Sequence, residues 1–190
     1  MLDKLGVYMG RRKIMSNIGL IVVDVQNALI KAHPYNEQKV IENIKQIIIT
    51  ARNNKKEVIY VRHDDGKGSE LEQGKDGWQI YEEIAPSEGE VTIEKQYNSA
   101  FHKTNLREYL VNRGIDTIIL VGLQTEYCID ATCKSAFDFE YKVIIPEETN
   151  TTFDNEYLSA EKLYKFYNYK IWDKRFANVL SIEDTIKFLK

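Results

Sequence analysis

Three side chains that could carry acyl-transfer chemistry stand at or just beyond the ends of apolar runs in this 190-residue chain. They are Asp24 after Ile18–Val23, Lys95 after "VTIE", and Cys128 in the polar stretch "GLQTEYCID" that follows residues 118–121. A cysteine with an ordinary pKa of about 8.5 is only a few per cent thiolate at neutral pH, so nucleophilic work needs activation. A carboxylate can take the thiol proton, and an ammonium or a helix N-terminus can stabilise the thiolate. Singly, each residue has an ordinary alternative: Asp24 as a helix cap or metal ligand, Lys95 as a solvated charge, Cys128 as a small apolar filler. Together at strand ends they point to a site.

The elements that must position them are short and β-branched. Ile18–Val23 and residues 58–61, 91–93, 117–121 and 143–145 are apolar runs of strand length, as expected for a sheet buried on both faces. Helical spacing appears between them: Val40, Ile44, Ile47 and Ile48 follow Asn36 as a possible cap, and Leu106, Leu110 and Val111 follow Thr104. Ala131, Ala136 and Phe137 continue a helix after Cys128, and residues 157–167 form another amphipathic stretch. Strands alternating with helices predict a three-layer, doubly wound α/β domain with a mostly parallel sheet of about six strands and helices on both faces. Ligands in such sheets bind outside the carboxyl ends of the strands, where all three candidates fall. The glycine-rich stretch 64–79, containing Trp78, is long for a connecting loop, and such loops tend to be functional.

A net charge of −3, with 43% hydrophobic and 29% charged residues, argues against a disordered chain and against a basic nucleic-acid binder. One domain over residues 16–190 is expected, preceded by an extension of uncertain order over residues 1–15, with Met15 a candidate start. The apolar runs fall short of the roughly 20 residues that span a bilayer, and residues 1–15 lack the apolar core of a signal peptide. Cys128 and Cys133, five apart in a helical segment, cannot form a disulfide there, which suggests free thiols and a cytoplasmic setting. Cys133 reads as a buried small residue.

The segments "GLIVVDVQNAL", "EKQYNSAF" and "GLQTEYCIDATC", in this order and with "DGWQI" and "SEGEV" between the first two, resemble the isochorismatase-like cysteine hydrolases, which include nicotinamidases and related amidases. The likeness covers roughly residues 18–170. It implies that Asp24 is a general base, Lys95 its electrostatic partner and Cys128 the nucleophile. It also implies a cis peptide at Leu123-Gln124, oxyanion donors in the backbone of Gln124 and Cys128, and assembly as a homodimer or larger homo-oligomer. Asn27, Trp78, Gln124 and Tyr127 are candidate substrate contacts, an aromatic wall with amide groups suited to a small amide or lactam.

Nicotinamidases in the family bind a divalent metal through an Asp-x-His pair and a later histidine. This chain offers "RHDD" with His63 alone, and neither His33 nor His102 repairs the pattern, so no catalytic metal and no cofactor are expected. Isochorismate hydrolysis acts on a vinyl ether and needs no cysteine nucleophile; the presence of Cys128 favours an amidase-type reaction. A non-catalytic oligomeric binding protein of the same fold is the alternative from another class. A nucleotide-binding reading fails because "DVQNAL" lacks the glycines that admit a pyrophosphate.

Overall fold

Branched apolar runs become strands covered on both faces. In the computed structural model, which describes residues 17–190, β1 (Ile18–Val23), β2 (Glu57–His63), β3 (Val91–Lys95), β4 (Thr117–Leu123), β5 (Lys142–Pro146), β6 (Asn150–Thr151) and β7 (Asn178–Leu180) form one sheet. The order is β3-β2-β1-β4-β5-β7, with β6 pairing the end of β4, and every pairing is parallel. The expected extension over residues 1–15 lies outside the described residues.

Two-residue alternation sorts the strand side chains into two cores. Ile21, Val23, Ile59, Val61, Ile93, Ile118 and Leu120 face one side, where they meet Leu106 and Leu110 of α3 (Leu106–Asn112), Cys133 and Ala136 of α4 (Asp130–Asp138), and Trp172. Leu20, Val22, Val58, Tyr60, Ile119 and Val121 face the other, against Val40, Ile44, Ile47 and Ile48 of α2 (Glu37–Asn53) and Leu189 of α6 (Ile182–Leu189). Two short helices, α1 (Asn27–Lys31) and α5 (Ala160–Phe166), complete the set. The fold is the expected three-layer α/β arrangement, with seven strands once the two-residue β6 is counted. No helix of the described residues is long and apolar enough to cross a membrane.

Local details depart from the sequence reading. Asn36 does not cap α2 through its side chain: it adopts a left-handed conformation, φ 52°, and its amide reaches Glu148 instead. Val111, counted on the apolar face of α3, is 62% exposed, because one residue past Leu110 lies about 100° round the helix, off the face that Leu106 and Leu110 bury. The stretch 157–167 becomes helical only from Ala160, leaving Tyr157 and Leu158 exposed before it.

Candidate active site

The ends of β1, β3 and β4 lie side by side because β2 and β1 separate β3 from β4 by only two strands. Asp24 leaves β1 with φ 53°, a left-handed conformation that Asp tolerates better than most residues, and its N–H donates to Val61 O at 2.9 Å. Lys95 is the last residue of β3, in register with His63 at the end of β2. Beyond β4, Gly122 takes φ 126°; a Cβ there would sit 1.9 Å from Val23 O, so only glycine lets the chain pass this close to β1. The Leu123-Gln124 peptide is cis, and a single π turn over Thr125–Ile129 then carries Cys128 to the mouth of the sheet.

Asp24, Lys95 and Cys128 meet. Lys95 Nζ lies 2.6 Å from Asp24 Oδ2 and 3.2 Å from Cys128 Sγ, with both Asp24 and Lys95 only 2% exposed. The third ammonium proton faces His63 Nδ1 at 3.0 Å. An ammonium only donates, so Nδ1 must accept, and the imidazole proton sits on Nε2, 3.6 Å from Asp65 Oδ1. Burial, and then the neighbouring Lys95 charge, hold His63 below the usual histidine range and keep it neutral.

Burial pushes the Cys128 thiol up to about 12; the Asp24 charge adds to this and Lys95 opposes it. The two charges offset one another, and the desolvation of the thiolate is what remains. The sulfur is therefore held as a protonated thiol beside a carboxylate, the state from which a base must take the proton. Asp24 Oδ1 is buried and has no hydrogen-bond partner, which leaves an acceptor next to that thiol.

This cluster opens into a cavity of about 230 Å³ lined by Asp24, Leu29, His63, Asp65, Leu71, Asn98, Gln124, Tyr127 and Cys128. Of the expected substrate contacts, Gln124 and Tyr127 line it, and Asn27 and Trp78 do not. Asn27 donates to Asp76 O at 3.1 Å and Trp78 is buried under the Arg62 guanidinium, 3.2 Å from its ring centroid. Both fasten the long loop: Asn27 N–H donates to Gln79 O and Ala28 N–H to Gly77 O. The loop in turn delivers Asp65 and Leu71 to the cavity.

Several contributors were not legible as such. Gln26, fully buried, donates to His63 O and Trp78 O at 2.9 Å each and accepts from His63 N–H at 3.0 Å, fixing the end of β2. Asn98, within the "EKQYNSAF" segment, places Oδ1 3.9 Å from Cys128 Sγ. Asn150 and Asn168 exchange two 3.0 Å hydrogen bonds and Asn150 Oδ1 also accepts from Thr125, a fully buried network that braces the turn bearing Cys128.

Asp24, His63 and Cys128 also bring a carboxylate oxygen, an imidazole nitrogen and a sulfur within 4.8 Å of one another, a set that could hold a metal ion. The Lys95 ammonium already lies among those three residues. A divalent ion would meet that charge, so the donor set does not suit a metal while Lys95 is in place.

The family model described as the Isochorismatase domain matches residues 19–184. The isochorismatase family protein YrdC of Bacillus subtilis is 31% identical over 180 residues, covering 90% of this chain and 96% of its own length. Among solved structures, a cysteine hydrolase from Pseudomonas syringae pv. phaseolicola aligns with a TM-score of 0.83 at 25% identity, covering 91% of this chain and 92% of that one. N-carbamoylsarcosine amidase from Thermoplasma acidophilum aligns with a TM-score of 0.75 at 26% identity, covering 88% and 97%. By the span of the family match and the identity and coverage of its relative, with the likeness of fold to the solved structures, this protein belongs to the isochorismatase family of hydrolases.

Proposed function

We propose that the protein is a cysteine hydrolase that cleaves the C–N bond of a small amide or lactam through a thioester on Cys128. Asp24 accepts the thiol proton as Sγ bonds to the carbonyl carbon, and the backbone N–H groups of Gln124 and Cys128 hold the oxyanion. The C–N bond breaks as the proton on Asp24 passes to the leaving nitrogen. Water, deprotonated by Asp24, then attacks the thioester; the C–S bond breaks and the thiol recovers its proton. Lys95 keeps its charge throughout and holds the Asp24 carboxylate beside the sulfur.

The observation that carries the reading is the buried contact of Lys95 with both Asp24 and Cys128, opening onto a cavity sized for a small molecule. A thiol held protonated until substrate arrives suits this scheme, because proton transfer to Asp24 and attack on carbon can occur together. The named amidase among the related structures supports amide chemistry as the reaction type. The experiment is a panel of small amides, ureas and lactams assayed for ammonia or amine release with the wild type and Cys128→Ala in parallel. Release by the wild type and none above background by the variant is expected; equal release by both would overturn the covalent route.

A further inference from the structure

Resting on the reading that this cavity is the substrate site, its lining specifies the charge of the substrate. The cavity presents acceptors. Asp24 Oδ1 is buried without a partner, and Asp24 as a whole is 2% exposed. At the outer end Asp65, with 64% of its side chain exposed, is met among the described residues only by the distant His63 Nε2 at 3.6 Å and by Ser69 Oγ at 3.3 Å. The cationic group closest to the sulfur, Lys95, has its three N–H donors directed at Asp24, Cys128 and His63, which leaves it none for an incoming anion. His63 is held neutral by burial and by Lys95. Among the described residues, the lining therefore carries two carboxylates, Asp24 paired with the Lys95 ammonium behind the cavity wall and Asp65 without a cation in the lining, with Asn98 and Gln124 as neutral amides able to donate or accept.

We propose that the site takes small amides whose remaining groups are neutral or cationic and rich in N–H, and discriminates against amides that carry a carboxylate or phosphate. An anion in the cavity would be desolvated beside Asp24 and Asp65 with no free charge to pair it. An N–H donor or ammonium would instead pair with Asp65 at the outer end, leaving Asp24 Oδ1 to the thiol proton. Asp65 is the specificity-determining residue of this arrangement, because it is the carboxylate the reacting atoms do not use.

The test uses the full-length protein and probes that report charge at Cys128 whatever the true substrate is. Three methanethiosulfonates differ at their ends: 2-aminoethyl (cationic), 2-hydroxyethyl (neutral and nearly isosteric with it) and 2-sulfonatoethyl (anionic). In each, the Cys128 thiolate attacks the sulfenyl sulfur, an S–S bond forms, and methanesulfinate leaves. Rates at Cys128, resolved by peptide mass spectrometry, are divided by rates with free cysteine, so the thiolate fraction cancels between reagents. At low ionic strength the expected order is aminoethyl, hydroxyethyl, sulfonatoethyl, with about tenfold between the extremes. Asp65→Asn, isosteric and on an exposed side chain, is expected to narrow that spread to about threefold. A sulfonatoethyl rate equal to or above the aminoethyl rate in the wild type would overturn the proposal, as would an unchanged spread in Asp65→Asn. Lack of hydrolysis across the amide panel with the charge order intact would fault the catalytic reading alone, whereas hydrolysis with the order reversed would fault only the substrate class.

Discussion

Cys128 and Cys133 sit five residues apart on one turn-and-helix unit, in the same hydrophobic cluster, and burial pushes both thiols up to about 12. Their proton affinities do not distinguish them. What differs is company and access: Cys128 lies against Lys95 and Asn98 and opens to a cavity, while Cys133 is fully buried on the core-facing side of α4. In the proposed reaction, reactivity at Cys128 comes from a proton acceptor and an entry path placed beside a thiol that is intrinsically reluctant to ionise.

The widest separation between the two is expected in activity. Cys128→Ala should lower amide hydrolysis on the order of a thousandfold or more, whereas Cys133→Ala should leave turnover within about twofold and cost about 1–2 kcal/mol in denaturant unfolding. A comparable loss of turnover in both variants would erase the distinction.

Asp24→Asn should come next and split two quantities that a simple thiolate model ties together. Removing the acceptor should slow hydrolysis by about a hundred- to ten-thousandfold. Removing its charge leaves Lys95 unopposed, so iodoacetamide should modify Cys128 faster than in the wild type at neutral pH. Parallel loss of both rates would mean that Asp24 takes the thiol proton for attack on any electrophile and that its charge does not hold the free thiol protonated.

The pH dependence sharpens the comparison from the alkaline side. Both thiols hold in the folded state a proton that the unfolded chain releases above its ordinary pKa of about 8.5, so stability should fall as pH rises from there toward about 12. Chemical denaturation at stepped pH should show this loss, reduced in either cysteine-to-alanine variant. Cys128 alkylation should keep climbing with pH over the same range; a plateau below about pH 8 would reveal a preformed thiolate instead.

The smallest expected effect concerns His63, which touches the Cys128 site but has no counterpart at Cys133. His63→Leu removes an acceptor from Lys95 and should reduce kcat by about threefold to tenfold, whereas His63→Asn can keep an acceptor near the Nδ1 position and should restore most of it. Because burial and Lys95 lower the His63 pKa, its neutral form is favoured in the fold. Acidification below about 6.5 should therefore weaken the fold, and protonation of His63 should reduce activity. That acid limb should be missing in His63→Asn. Equal activity in both variants with an unaltered pH profile would remove His63 from the account.

Asp24, Lys95 and Cys128 were legible because strand ends and two-residue alternation are local properties, and the sheet places strand ends together. His63, Asp65 and Asn98 were not legible as partners, since their roles depend on which strands adjoin and on how the long loop folds back. Gln26 illustrates the limit: a glutamine after a strand carries no local sign that it will clamp two distant backbones. Trp78 and Asn27 were misplaced for the converse reason: an aromatic and an amide in a long loop fit a pocket wall as readily as a loop anchor. Neither α6 nor β7 was read from the sequence: the helix starts on Ser181, which accepts from Asp184 N–H at 3.1 Å, after a strand only three residues long.

The central claim is that bond formation to substrate occurs at Cys128 and nowhere else. Rapid acid quench during turnover of a hydrolysed amide, followed by peptide mass spectrometry, tests it most directly. The account predicts an acyl mass on Cys128 that forms and decays at rates compatible with kcat, with Cys133 unmodified. Steady turnover in a Cys128→Ala variant, or an acyl group found on another side chain, would contradict it.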